Sequence, residues 1–168
     1  MITGVRIQNF KAIADSGWIP LKDLNYIMGP NSSGKSAIGK ALQFMQVFFQ
    51  LKKDGDTAIP TFVPLNTNDI DLGTFGETVH DGEDSFTISY KIKFQSLRPS
   101  SFPLNDHDYC FEFEFSGKKR DWECTLNRMT IKHFSSNQII INLVKNSGTG
   151  SYYKSAYNNV TIHQKNLT

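Results

Sequence analysis

Cysteine is scarce in this chain: Cys110 and Cys124 are the only two in 168 residues. Neither sits in a C-x-x-C pair, and no H-E-x-x-H occurs, so there is no spacing for a structural zinc or a zinc protease. G-x-S-x-G is missing too, which leaves the nucleophile elbow of serine hydrolases without a candidate. No apolar run approaches the ~20 residues a membrane helix needs. The longest, residues 41–51, is interrupted by Gln43, Gln46 and Gln50. The opening Met1-Ile2-Thr3-Gly4-Val5-Arg6 lacks the basic-then-apolar order of a secretion signal. Charge of one sign is also lacking: the formal net charge is +2, too small a bias to argue for nucleic acid or a membrane surface. Together these absences predict a cytoplasmic protein with no membrane partner.

What is present suits a packed core. Thirteen phenylalanines occur, and aromatics reach 12% of the chain, a composition that disfavours disorder. The length suits one ordinary domain. It divides into strands, a loop and a helix over 1–53, a loop-rich connection over 54–85, and alternating strands over 86–168. Residues 2–10 mix β-branched and polar side chains and read as a strand. Residues 18–21 form a short second strand after a turn at Ser16-Gly17. Residues 25–28 are a third, apolar as in a strand buried on both faces. From Ser36 to about residue 52, Ile38, Ala41, Leu42, Met45 and Phe49 recur at helical spacing. Phe44, Val47, Phe48 and Leu51 widen the stripe, so the helix should be mostly buried. Lys52-Lys53 and Asp54-Gly55-Asp56 are its stop signals.

After Phe86 the period becomes two. Phe86, Ile88, Tyr90 and Ile92 alternate with polar residues, as do Tyr109, Phe111, Phe113 and Phe115, then Trp122, Cys124 and Leu126. These predict antiparallel strands with one wet face. A two-residue turn at Gly117-Lys118 would pair Phe113 with Trp122 and Phe111 with Cys124. That register puts Cys110 and Cys124 on opposite faces, which excludes a disulfide between them. Residues 146–168 hold one or two edge strands.

The chemistry is concentrated in one stretch. Gly29-Pro30-Asn31-Ser32-Ser33-Gly34-Lys35-Ser36 satisfies G-x-x-x-x-G-K-[ST] in full. Chance would produce this in roughly one chain of this length in two hundred. An apolar strand before it and a helix after it are the context the motif requires. Gly29 and Gly34 let the backbone approach phosphate oxygens without a Cβ in the way. The loop amides form an anion nest at the positive end of the helix. Lys35 would span the β- and γ-phosphates, and would stabilise transition-state charge if the chain were active. Ser36 would offer its hydroxyl to Mg²⁺. The Ala37 amide would face the α-phosphate. The expected ligands are ATP and Mg²⁺.

The stretch "VRIQNFKAIADSGWIPLKDLNYIMGPNSSGKSAIGKAL" resembles the N-terminus of SMC/RecF-type P-loop ATPases. These are ABC-like heads of the AAA family, and they include the OLD ATPases. Asn9-Phe10-Lys11, Asn25 and the whole loop fit that pattern. Ser32 stands where many members have Gly, a change the OLD-like branch tolerates. The match covers about the first 50 residues. "DIDLGTFGETVH", residues 69–80, also resembles a stretch that follows the first helix in bacterial members. The resemblance implies an α/β P-loop fold: the first lobe of an ABC-ATPase head, with a strand–P-loop–helix core and a large antiparallel β-layer. It implies that Lys11 lies near the nucleotide and that Asn31 lies near the γ-phosphate at an interface with a second head. It further implies homodimeric heads and DNA or a nuclease as partner, in DNA repair or defence against phage.

Hydrolysis by such a head also needs a Walker B strand ending in Asp-Glu, a signature motif and a switch histidine. Ile139-Ile140-Ile141 leads to Asn142 rather than to Asp, and no Ser-Gly-Gly signature appears. His80, His107, His133 and His163 are scattered and read as surface residues. Asp69, Asp71, Asp81, Glu83 and Asp84 do not follow the calcium-loop pattern and read as a solvated loop. Lys118-Lys119-Arg120 reads as a solubilising turn. The expectation is an ATP-binding N-terminal lobe that does not turn ATP over alone. Two alternatives stand beside it: a complete small P-loop kinase, and a non-catalytic interaction module with a vestigial loop.

Overall fold

The computed structural model describes residues 1–30, 34–51, 60, 62–93 and 108–145, and the backbone of 153–157 and 160–163. Its strands are β1 (Ile2–Phe10), β2 (Ile13–Asp15), β3 (Ile19–Pro20), β4 (Val63–Pro64), β5 (Ser85–Lys93), β6 (Asp108–Ser116), β7 (Glu123–His133), β8 (Ile139–Lys145), β9 (Tyr153–Tyr157) and β10 (Val160–His163). The helices are α1 (Lys35–Gln50), between β3 and β4, and the single turn α2 (Phe75–Thr78), between β4 and β5. The sheet runs β10-β9-β8-β7-β6-β5-β1-β2, with β3 beside β1 and β4 beside β7. Among the described strands every pairing is antiparallel. The fold is a strand-rich α/β structure with a large antiparallel sheet.

Period-two patterning gives the sheet two unlike faces. One carries Val5, Ile7, Phe86, Ile88, Phe113, Phe115 and Leu126, all buried. The spacing of Ala37, Ala41, Phe44, Met45 and Phe48 puts one stripe of α1 against that face. Phe44 meets Phe86 and Phe115 edge-on, with ring centroids 5.4 and 4.9 Å apart. Phe48 does the same with Phe115 at 5.4 Å. Such pairs add about 0.5–1.5 kcal/mol each beyond the area they bury. The other face is wet and carries charge pairs across neighbouring strands: Lys132–Glu112 at 2.7 Å, Lys91–Asp108 at 2.9 Å, and Arg6 with Asp15.

Several expectations need correction. Residues 25–28 form no strand, and Tyr26 and Met28 are 79% and 86% exposed. Their apolar pattern is that of a buried strand, but no described strand lies beside them to complete a ladder. β2 was unforeseen, since the sequence pattern assigns no element between the first strand and the turn at Ser16-Gly17. Phe49, assigned to the buried stripe of the helix, is 55% exposed.

The β6–β7 register also differs: Phe113 pairs with Met129 and Phe115 with Leu126. A longer connection wins because its backbone serves α2 and β4. The Asp121 carbonyl accepts from Phe75 N, the Lys119 carbonyl from Gly76 N, and the Trp122 carbonyl from Leu65 N. Trp122 thereby leaves the strand and is 63% exposed. The cysteines still lie on opposite faces. Cys124 is in the main core, Cys110 lies level with Lys91 and Lys132, and both are free thiols. The proposed helix stop at residues 52–56 lies outside the described residues.

Candidate functional site

The sequence folds the phosphate-loop motif onto the start of α1. Gly34 is the N-cap and holds φ at 84°, a left-handed geometry that an L side chain adopts only under strain. A Cβ there would also come within 3.2 Å of Ile13 Cγ1. Gly29 has φ 152°, again on the glycine side of the map. Ala37 N and Ile38 N both donate to the Gly34 carbonyl, at 3.0 and 3.2 Å. Among the described residues the first turn of α1 holds no acidic side chain and no side chain caps it, which favours an anion at its positive end.

Lys35 folds back over the loop: its Nζ donates to the Gly29 carbonyl at 2.6 Å and also to that of Pro30. Ser36 is exposed beside it, and Ala37 is buried. Gly29 and Pro30 are exposed as well. The structure thus brings Gly29, Pro30, Gly34, Lys35, Ser36 and Ala37 together. Asn31, Ser32 and Ser33 lie outside the described residues, and with them any position for Asn31 at an interface.

Lys11 sits in the β1–β2 turn with φ 53°. Its Nζ donates to the Leu72 carbonyl at 2.6 Å. Burial, and then the neighbouring Lys40, lower its pKa. Lys40, on α1, donates to the Asp71 carbonyl at 2.8 Å. Two lysines thus clasp successive carbonyls of one segment.

That segment is well ordered. Asn66 Oδ1 accepts from Leu72 N and Gly73 N at 3.0 and 2.9 Å, and Asn66 Nδ2 donates to the Gly73 carbonyl at 2.9 Å. Thr74 and Glu77 close a capping box at the start of α2, a signature legible in the sequence as T-x-x-E. The roles of Lys40 and His80 had no local signal, because their partners, the Asp71 and Lys11 carbonyls, lie 31 and 69 positions away.

The chemistry of the described loop residues is compatible with a magnesium nucleotide. Backbone amides and Lys35 suit phosphate oxygens, and the Ser36 hydroxyl suits a hard cation. Among the described residues no group of three or more His, Cys, Asp and Glu could hold a metal ion by itself. Ser36 would therefore share the cation with the phosphates. No described helix is long and apolar enough to cross a membrane.

A strand-rich α/β sheet with this loop motif at the head of its one long described helix defines a class, the ATPase domains. The family model described as AAA ATPase domain matches residues 1–167, and the chain belongs to that family. Family membership points to nucleotide binding in an ATPase. A search among curated proteins finds no match.

Proposed function

We propose that the chain is the ATP–Mg²⁺-binding lobe of an SMC/RecF/OLD-like ATPase. One observation carries the reading: Lys35, of an intact G-x-x-x-x-G-K-S loop, lies over the Gly29 and Pro30 carbonyls at the uncapped start of α1. In this reading Lys35 trades those carbonyls for β- and γ-phosphate oxygens. Ser36 holds Mg²⁺, the Ala37 amide faces the α-phosphate, and Asn31 faces a second head. The cation, when bound, neutralises phosphate charge.

In this reading hydrolysis needs Walker B and signature residues, which the sequence does not show. The resemblance of about the first 50 residues to SMC/RecF/OLD-type ATPases supports a role in DNA repair or anti-phage defence, with DNA or a nuclease as partner. The antiparallel sheet disfavours a small kinase, which alternates parallel strands with helices.

Calorimetry with ATP–Mg²⁺ tests this. The wild-type chain should give a saturable heat, and Lys35→Ala should weaken binding at least about tenfold, the loss of charge-assisted hydrogen bonds. Equal heats for the two proteins would sink the reading.

A further inference from the structure

The β1–β2 turn is held in a conformation its residues do not favour. Asn9 and Lys11 have φ of 54° and 53°. Asparagine tolerates this region, but a lysine persists there only where its surroundings over-determine it. Here the surroundings are residues 78–80. The Thr78 carbonyl accepts from Lys11 N at 2.7 Å, and His80 N donates to the Asn9 carbonyl at 3.0 Å. Phe10 bridges to Val79 between them.

The remaining contact comes from a side chain. His80 Nδ1 lies 2.9 Å from the Lys11 carbonyl. A carbonyl only accepts, so the Nδ1 atom must carry the proton. Every polar group of the Lys11 peptide is thereby assigned, and its side chain is directed to the Leu72 carbonyl beside Lys40. Neither ammonium is in an ion pair among the described residues. Two ammoniums thus stand near each other, each donating to a carbonyl, with the Glu77 and Asp71 carboxylates within electrostatic reach of Lys11 but paired with neither lysine; an anionic ligand would relieve the repulsion between the lysines. The turn also touches the loop, since Ile13 occupies the space a Gly34 Cβ would need.

We propose that His80 is a positioning residue for the nucleotide site: its Nδ1–H locks the β1–β2 turn so that Lys11 presents its ammonium to a bound nucleoside triphosphate. This rests on the nucleotide-binding reading above. His80 touches no phosphate; it acts through Lys11.

ATP–Mg²⁺ affinity, measured by calorimetry, tests it with Lys11→Met, His80→Ala, the double variant and His80→Asn. Lys11→Met and His80→Ala should each weaken binding about fivefold, the effect of one hydrogen bond. The double variant should be no weaker than Lys11→Met alone, because both act through one group. Asn offers a side-chain N–H near the place of Nδ1 and should restore the affinity lost in His80→Ala. If His80→Ala does not fold, His80→Asn and His80→Gln decide, since Gln places its amide too far out: Asn should bind more tightly than Gln. Losses that multiply in the double variant, or Asn no better than Ala or Gln, would overturn the positioning role. Tight ATP binding unchanged by Lys11→Met and His80→Ala would overturn it while leaving the nucleotide reading intact. No ATP binding by the wild type would remove both.

Discussion

Arg6 and Asp15 show what a single pair contributes on the wet face of the sheet. Arg6 Nε donates to Asp15 Oδ1 at 2.9 Å, and a second guanidinium nitrogen meets Oδ2. The Arg6 hydrogen bond is the main reason the Asp15 carboxyl falls from 3.8 to about 2. A depressed carboxyl stabilises the folded state above its unfolded value and loses that contribution as pH falls through the folded one. The window therefore runs from about pH 4 down to about 2. Both side chains are more than a third exposed, so solvent screening limits the effect to about 1 kcal/mol or less. Asp15→Asn should melt a few degrees below wild type at pH 6, and the difference should vanish towards pH 2. A difference independent of pH would show that the loss is not electrostatic. The buried thiols differ in kind. Burial is the main cause that pushes Cys110 up to about 12 and raises Cys124 as well, so both are poor nucleophiles in the folded chain.

Helix α1 joins the loop to the sheet, and it does so through aromatic rings. Phe44 is fully buried and lies edge-on to both Phe86 and Phe115. Phe44→Ala should cost about 3–5 kcal/mol in urea unfolding, transfer and cavity terms together. A loss under about 1 kcal/mol would show that the helix is not anchored there. The stripe that predicts this contact was legible in the sequence, as were β1, β5 and β6, because period-two and helical spacing are local properties. The β6–β7 connection was not. A two-residue turn at Gly117-Lys118 satisfies the local pattern, but it forgoes the hydrogen bonds that Lys119, Asp121 and Trp122 make to α2 and β4. Residues 25–28 failed for the opposite reason. Their composition is that of a strand, and a strand exists only beside a partner.

At the scale of the whole molecule, the proposed reading gives the chain the nucleotide-gripping part of an ATPase: the sequence has the loop, the lysine and the serine, and shows no apolar run ending in Asp-Glu. Incubation of the isolated chain with ATP–Mg²⁺ should therefore release negligible phosphate. Robust release that Lys35→Ala abolishes would show that the catalytic carboxylate lies within these residues. The sheet extends from β2 at one edge to β10 at the other, with α1 covering one face of its middle. Among the described strands every pairing is antiparallel, whereas a small nucleotide kinase alternates parallel strands with helices.

The sequence by itself determined the loop motif, its following helix, the alternation of the long strands and, at the level of an AAA-type ATPase, the family. Each is written in residues close together in the chain, where spacing and side-chain type are sufficient. Only the tertiary structure decided what surrounds the loop. Lys11 reaches Leu72, Lys40 reaches Asp71, and His80 reaches back to Lys11. These contacts join residues 31 to 69 positions apart. Hydrogen bonds over such separations depend on where the sheet and helix place each backbone carbonyl, and no local pattern of side chains encodes that.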